Sequence, residues 1–174
     1  LLLALIIIGL IIYSAIQAYY AIAGNFEMKS SYHPHTKPVI LGILVCIFIE
    51  IIIGTEIRGG LDMSRKENPL IEGVILLKML GPFKYMHTIL GFSLLGLTIY
   101  LWRIINDIKF ISSSFMVNSV NFIMGLIITQ IILGEALVFL EVKPLMQLFH
   151  MWFSSLLVGL SVASFTFYKI SMEK

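Results

Sequence analysis

The sequence predicts an all-α fold: a polytopic membrane bundle of five transmembrane helices, the last four of which form one four-helix unit. Three observations predict it. The first is composition. Of 174 residues, 59% are hydrophobic and only 13% charged, with a mean hydropathy of +0.97, where soluble domains carry roughly 25% charged residues. The second is charge placement, because Lys, Arg, Asp and Glu gather between long apolar blocks. The third is an internal repeat. Glu50 to Gly54 reads EIIIG where Gln130 to Gly134 reads QIILG. His87 then opens HTILGFSLLGL and His150 opens HMWFSSLLVGL, and each His is followed nine positions later by Gly-Leu, at Gly96-Leu97 and Gly159-Leu160. Two units of one polar-tipped helix followed by one His-led helix are the signature of a repeat in a membrane protein.

The elements follow in order. Residues 1–23 supply a first apolar span of about the 20 residues that cross a bilayer. They lack the basic start and small-residue cleavage site of a signal peptide. Gly9-Leu10, counted back nine places as in the His-led helices, lands just before Leu1. The expectation is therefore a chain cut from a longer one, with a His leading this helix as well. Residues 24–38 read as a loop, in which His33 and His35 flank Pro34. Proline restricts the preceding residue to extended backbone, so this His pair is expected in a solvated loop rather than on a helix face.

The second span is expected from Val39 to about Thr55. The polar segment Glu56 to Phe83 follows as a loop, with an apolar patch at Val74 to Leu80 too short to cross and suited to an interface or a cap. Lys84 to Ile105, Met116 to about Leu140, and Leu145 to Tyr168 complete the spans. The four-helix unit thus covers 39–170, preceded by the 1–23 helix. Strict alternation puts the 56–83 and 135–143 connections on one side, here side A, and the 24–38 and Lys109 connections on side B. Positive charge does not orient the chain: Arg58, Arg65, Lys66, Lys78, Lys84 and Lys143 on side A match Lys29, Lys37, Arg103, Lys109, Lys169 and Lys174 on side B, six against six.

Chemistry is sought among the polar residues that a bilayer should not tolerate. His87 and His150 open two spans that run in the same direction, so they lie at similar depth near side A. Two imidazoles at matched depth can bind one haem iron from both faces. The alternative is a His hydrogen-bonded across helices or snorkelling to the interface. Small residues near each His (Thr88, Gly91 and Ser93; Ser154 and Ser155) suit a flat macrocycle and ordinary helix packing alike. Glu50 and Gln130 hold equivalent places. An ionisable group within a span costs about 2.5–3.5 kcal/mol on insertion scales, so Glu50 is expected to be protonated, to pair with a His or Arg, or to sit as a carboxylate at the helix tip. Arg58 is a candidate for gripping a haem propionate bidentately, its other reading being an interfacial anchor. Cys46, the one cysteine, excludes an internal disulfide and a thiolate cluster. No phosphate-cradling loop, nucleophile elbow or paired-carboxylate motif occurs, and no nucleic-acid partner is expected.

GTEIRGGLD closing one span, a His opening the next, then QIILG and a final LFH resemble the C-terminal half of the haem A synthase family. The resemblance covers essentially the whole chain, with the five spans matching helices four to eight of the family's eight. It implies that His87 and His150 are axial ligands of a b-type cofactor haem; Arg58 and Gln130 are the further candidates for that cofactor site. Conversion of haem O to haem A for cytochrome oxidase assembly is an oxidation of a methyl to a formyl group. By the same resemblance it belongs to the N-terminal half, whose catalytic Glu-bearing helix this chain does not contain. No catalytic residue is therefore expected here. The implied partners are the lipid bilayer, the N-terminal half of the same protein, the substrate haem O and haem O synthase, with homo-oligomerisation open. The implied location is a bacterial plasma membrane with the haem site toward the extracytoplasmic face. Two departures stand out: Glu50 replaces a residue that is often Gln in the family, and the Glu56–Phe83 segment lacks the cysteine pair of some members. Two readings from other classes remain at this point, a small bis-His membrane cytochrome exchanging electrons with quinone and a transporter half-unit whose polar path is lined by Glu50, Gln130 and the histidines.

Overall fold

A computed structural model describes residues 2–22, 31–68, 70–71, 73–139 and 144–172. The 24–30 part of the expected side-B loop, residues 140–143 of the last connection, with Lys143, and Glu173 and Lys174 lie outside the described residues. Six helices form the fold: α1 (Leu2–Ile22), α2 (Thr36–Glu67), α3 (Gly73–Met79), α4 (Phe83–Ile105), α5 (Ser114–Phe139) and α6 (Pro144–Met172). All but α3 are long and apolar enough to cross a membrane, so the five spans stand as the sequence predicts. Helices are the physical solution here because hydrocarbon offers no partner to an unpaired backbone N–H or C=O. Among the described residues the only β pairing is an isolated bridge between Ser31 and Ile111, which ties the start of α2 to the α4–α5 link on side B.

Helix ends follow local chemistry. Pro144 opens α6, and Pro38 sits in the first turn of α2, where a missing N–H costs nothing. After Pro34 the chain does not stay extended, contrary to expectation. The Thr36 N–H donates to the His33 carbonyl at 2.9 Å, and His35 is in the right-handed helical region at φ −79°, ψ −7°. Proline favours the second position of such a turn, so His33-Pro34-His35 becomes the ramp into α2. Gly81 has φ +67°, a left-handed conformation that glycine adopts without strain. It ends α3, and Pro82 then launches α4.

The span expected to stop near Thr55 does not. α2 continues helical to Glu67, so much of the expected 56–83 loop is a helix extending beyond the apolar stretch. The polar residues that mark the membrane exit (Glu56, Arg58, Arg65, Lys66 and Glu67) are also good helix formers, and Arg65 and Lys66 in the last turn oppose the negative end of the helix dipole. The apolar patch forms α3, which bridges α2 and α5. Leu76 is fully buried there beside Leu61, with Ile57, Leu80 and Leu137 packed around them. Leu80 approaches so closely that a Cβ on Gly60 would stand 2.5 Å from its Cδ2, which explains a glycine within this part of α2.

α2, α4, α5 and α6 make the bundle. Neighbours pack in the cyclic order α2, α4, α5, α6, leaving α4 diagonal to α6 and α2 diagonal to α5. The buried core runs as helical stripes: Ile40, Ile43, Ile47 and Ile51 on α2; Leu94, Thr98, Leu101 and Ile105 on α4; Met116, Val120, Ile123 and Ile127 on α5; Leu157, Val158 and Ser161 on α6. Each stripe has the 3–4 residue spacing of one helix face. All four concentrate in the side-B part of the bundle. Toward side A the facing residues are half-buried, apart from the small Leu61–Leu76 cluster. α1 lies outside the bundle against α6. The Gly-Leu glycines serve this contact, for Gly9 faces Val162 and Gly159 faces Ile12, and small residues let helix backbones approach within a bilayer. Lys169 donates to the Tyr13 hydroxyl at 3.1 Å across the same seam.

Candidate functional site

α4 and α6 both start at side A, and each carries its histidine in the early turns of the helix. The rings meet across the bundle diagonal. The His87 and His150 centroids stand 6.3 Å apart with planes inclined by 60°. Neither ring is turned out to lipid: His87 keeps 30% of its side chain exposed, and His150 is likewise half-buried.

Each ring lies over the glycine of the preceding polar-tipped helix. A Cβ on Gly54 would be 3.4 Å from the His87 Cε1, and one on Gly134 would be 3.8 Å from the His150 Cε1. The repeated Glu/Gln-x-x-x-Gly pattern is therefore geometric as well as textual. Its glycine makes room for the imidazole of the next unit helix, once in each unit.

The polar residues of the pattern behave differently from one another. Glu50, with only 12% of its side chain exposed, directs Oε2 closely onto the His87 Nδ1, although neither atom makes a hydrogen bond. Its Oε1 lies 3.2 Å from where a Cβ on Gly91 would stand. Of the alternatives considered for Glu50, pairing with a His is the one found. Gln130 does not touch the ring of His150. Its Nε2 donates to the His150 carbonyl at 2.8 Å and to the Ser154 Oγ at 2.8 Å. Ser154 in turn donates to that carbonyl at 2.9 Å. Gln130 thus braces the backbone of α6 beneath the imidazole, while the His150 Nδ1 is buried without a hydrogen-bond partner. Gly91 and Ser154 occupy equivalent places, each four residues after its histidine, so a carboxylate over glycine on one side answers an amide over serine on the other.

Removing the amide tests this bracing. Gln130→Leu leaves the Ser154 pair intact but deletes two hydrogen bonds within the bundle, a loss of about 1–3 kcal/mol. A lower melting temperature in detergent is the expected result, and an unchanged one removes Gln130 from the site.

Arg58 reaches from α2 toward α6. Its guanidinium contacts the sulfur of Met151, next to His150, and lies 3.9 Å from Asp62 one turn along its own helix. With both side chains about half exposed, this pair contributes little to stability, and the charge remains available at the side-A rim. The other small polar residues serve their own helices, since Thr88, Ser93 and Ser155 all donate to carbonyls four residues back. On side B, the His35 Nδ1 pairs with the Tyr100 hydroxyl at 2.7 Å, and His33 packs edge-on against His35, far along the helices from His87 and His150. Among the described residues no group of three or more His, Cys, Asp or Glu side chains is arranged around a common metal position. The protein's own contribution at side A is a facing pair of imidazoles.

The glycine contacts were foreshadowed by the repeat. The closeness of Gly91 to Glu50 and of Met151 to Arg58 had no sequence signal, because both depend on how neighbouring helices are rotated.

No curated protein and no solved structure matches the chain. The family model described as cytochrome oxidase assembly protein, COX15-CtaA, matches residues 1–162. With nearly the whole chain covered and a five-span helical bundle beneath it, this protein belongs to the COX15-CtaA family of cytochrome oxidase assembly proteins, the haem A synthase family.

Proposed function

We propose that this chain is the C-terminal, cofactor-binding half of a haem A synthase, and that His87 and His150 hold a b-type haem between them at side A. One observation carries the reading, the separation of the two rings. Imidazoles bound at about 2 Å to opposite faces of one metal, each ring centre about 1 Å behind its nitrogen, stand roughly 6 Å apart. The observed spacing is 6.3 Å. The surroundings fit as well. Gly54 and Gly134 leave both ring edges uncrowded, and the tightly buried core stops at Ile51, Leu94, Ile127 and Leu157, giving way to half-buried residues around the two histidines.

Such a haem supplies reversible one-electron transfer at its iron. The roles of the chain's residues follow from their positions. His87 and His150, facing each other from diagonal helices, would hold the haem through their ring nitrogens. Glu50 and Gln130 orient them, one through the ring and one through the backbone. Arg58 offers a bidentate grip for a carboxylate at the rim, where a haem propionate would lie. In this reading the half passes electrons toward the oxidation of the haem O methyl group, a reaction carried out by the N-terminal half of the same protein. Side A then faces the extracytoplasmic side of a bacterial plasma membrane.

The test is spectroscopic. Protein purified from membranes and supplied with haem b is expected to show the sharp Soret and α bands of a low-spin bis-imidazole haem. A transporter half-unit would show neither, and their absence sinks the reading.

A further inference from the structure

The two imidazoles are not equivalent. His87 has a carboxylate on its Nδ1. The Nδ1 atoms of both rings are buried without a hydrogen bond, but His150 has no such carboxylate against it among the described residues, and the polar residue of its unit, Gln130, binds the His150 carbonyl and Ser154 instead. Resting on the haem reading above, we infer that Glu50 is a positioning residue that makes His87 the stronger, more anionic axial ligand and sets the haem potential low.

The physical chain is short. A carboxylate held against one imidazole nitrogen fixes the ring's orientation, favours the tautomer with Nε2 free to ligate, and makes that nitrogen more basic. A more basic ligand donates more charge to iron and favours the ferric state. The carboxylate's own negative charge, largely removed from water, favours the more positive ferric state as well, with little screening. Nothing comparable reaches His150, so the two sides of the iron are electronically unequal. The geometry also holds Glu50 in place. Oε1 is pressed toward Gly91, where a serine, as in the sister unit, would crowd the carboxylate. The pairing of Glu50 with Gly91 and of Gln130 with Ser154 marks two ways of filling one place.

Glu50→Gln tests this in haem-loaded protein. An amide is a weaker acceptor than a carboxylate, so the low-spin bis-imidazole spectrum is expected to persist while the midpoint potential shifts upward. The g-values of the ferric haem should move with it. Glu50→Gln combined with Gly91→Ser recreates the Gln130–Ser154 arrangement and guards against a packing defect in the single variant. It is expected to show the same upward shift with a melting temperature near that of the parent. Retained spectra with unmoved potential and g-values in both variants overturn the inference and leave the haem reading standing. Failure of the parent protein to show the low-spin spectrum overturns the haem reading, and this inference with it.

Discussion

His87→Ala and His150→Ala are each expected to abolish the low-spin bis-imidazole spectrum, because each removes one of the two nitrogens proposed to hold the haem. Alanine is the best helix former, so α4 and α6 should persist in both variants and the loss should be local. The two variants are not expected to be equally stable. Truncating His150 leaves the Gln130 hydrogen bonds in place, since they end on the His150 carbonyl and on Ser154. Truncating His87 strips Glu50 of its partner and leaves an unpaired carboxylate within a span. On insertion scales such a group costs about 2.5–3.5 kcal/mol at mid-membrane. Thermal unfolding of the haem-free proteins should therefore place His87→Ala below His150→Ala. Retention of the low-spin spectrum in both variants would remove the ligand assignment altogether.

The second large effect is expected at Gly54. A Cβ there would stand 3.4 Å from the His87 Cε1, an ordinary contact, so Gly54→Ala should keep the proposed haem. Gly54→Leu adds three more carbons against the same edge of the imidazole that Glu50, one turn back on α2, already contacts at Nδ1. Overpacking of this kind costs typically about 1–3 kcal/mol, and here the ring has to move away from its place opposite His150 to relieve it. The haem-to-protein ratio of purified Gly54→Leu is expected to fall sharply. Gly134→Leu should lose less, because its corresponding distance is 3.8 Å and no carboxylate pins the His150 ring as Glu50 does that of His87. Full haem occupancy in Gly54→Leu would show that the glycine is not a cradle for the imidazole.

The α2 extension has a bearing on both experiments. Arg58 sits on the helix continued beyond Thr55, and this continuation carries its guanidinium to Met151, beside His150. α3 packs Leu76 against Leu61 on the same extension and spans from α2 to α5. The side-A end is thus a built structure of helices. The histidines lie beneath it rather than beneath a loose connection.

By itself the sequence determined the membrane class, the five spans and the common end at which His87 and His150 sit. Hydropathy and helical length are sums over one segment, and the direction of each span follows from simple alternation. The repeat also paired Glu50 with Gln130 and Gly54 with Gly134 before any coordinates. Only the tertiary structure decided what those pairs do. Whether Glu50 reaches a ring and Gln130 a carbonyl depends on the rotation of α2 and α5 about their axes, which no property of a single helix reports. The continuation of α2 through Glu67 was hidden because the charges that end a hydrophobic run are the same residues that sustain a helix in water. The seating of α1 on α6 through Gly9 and Gly159, outside the four-helix unit, was likewise decided by surfaces that meet only when the chain is folded.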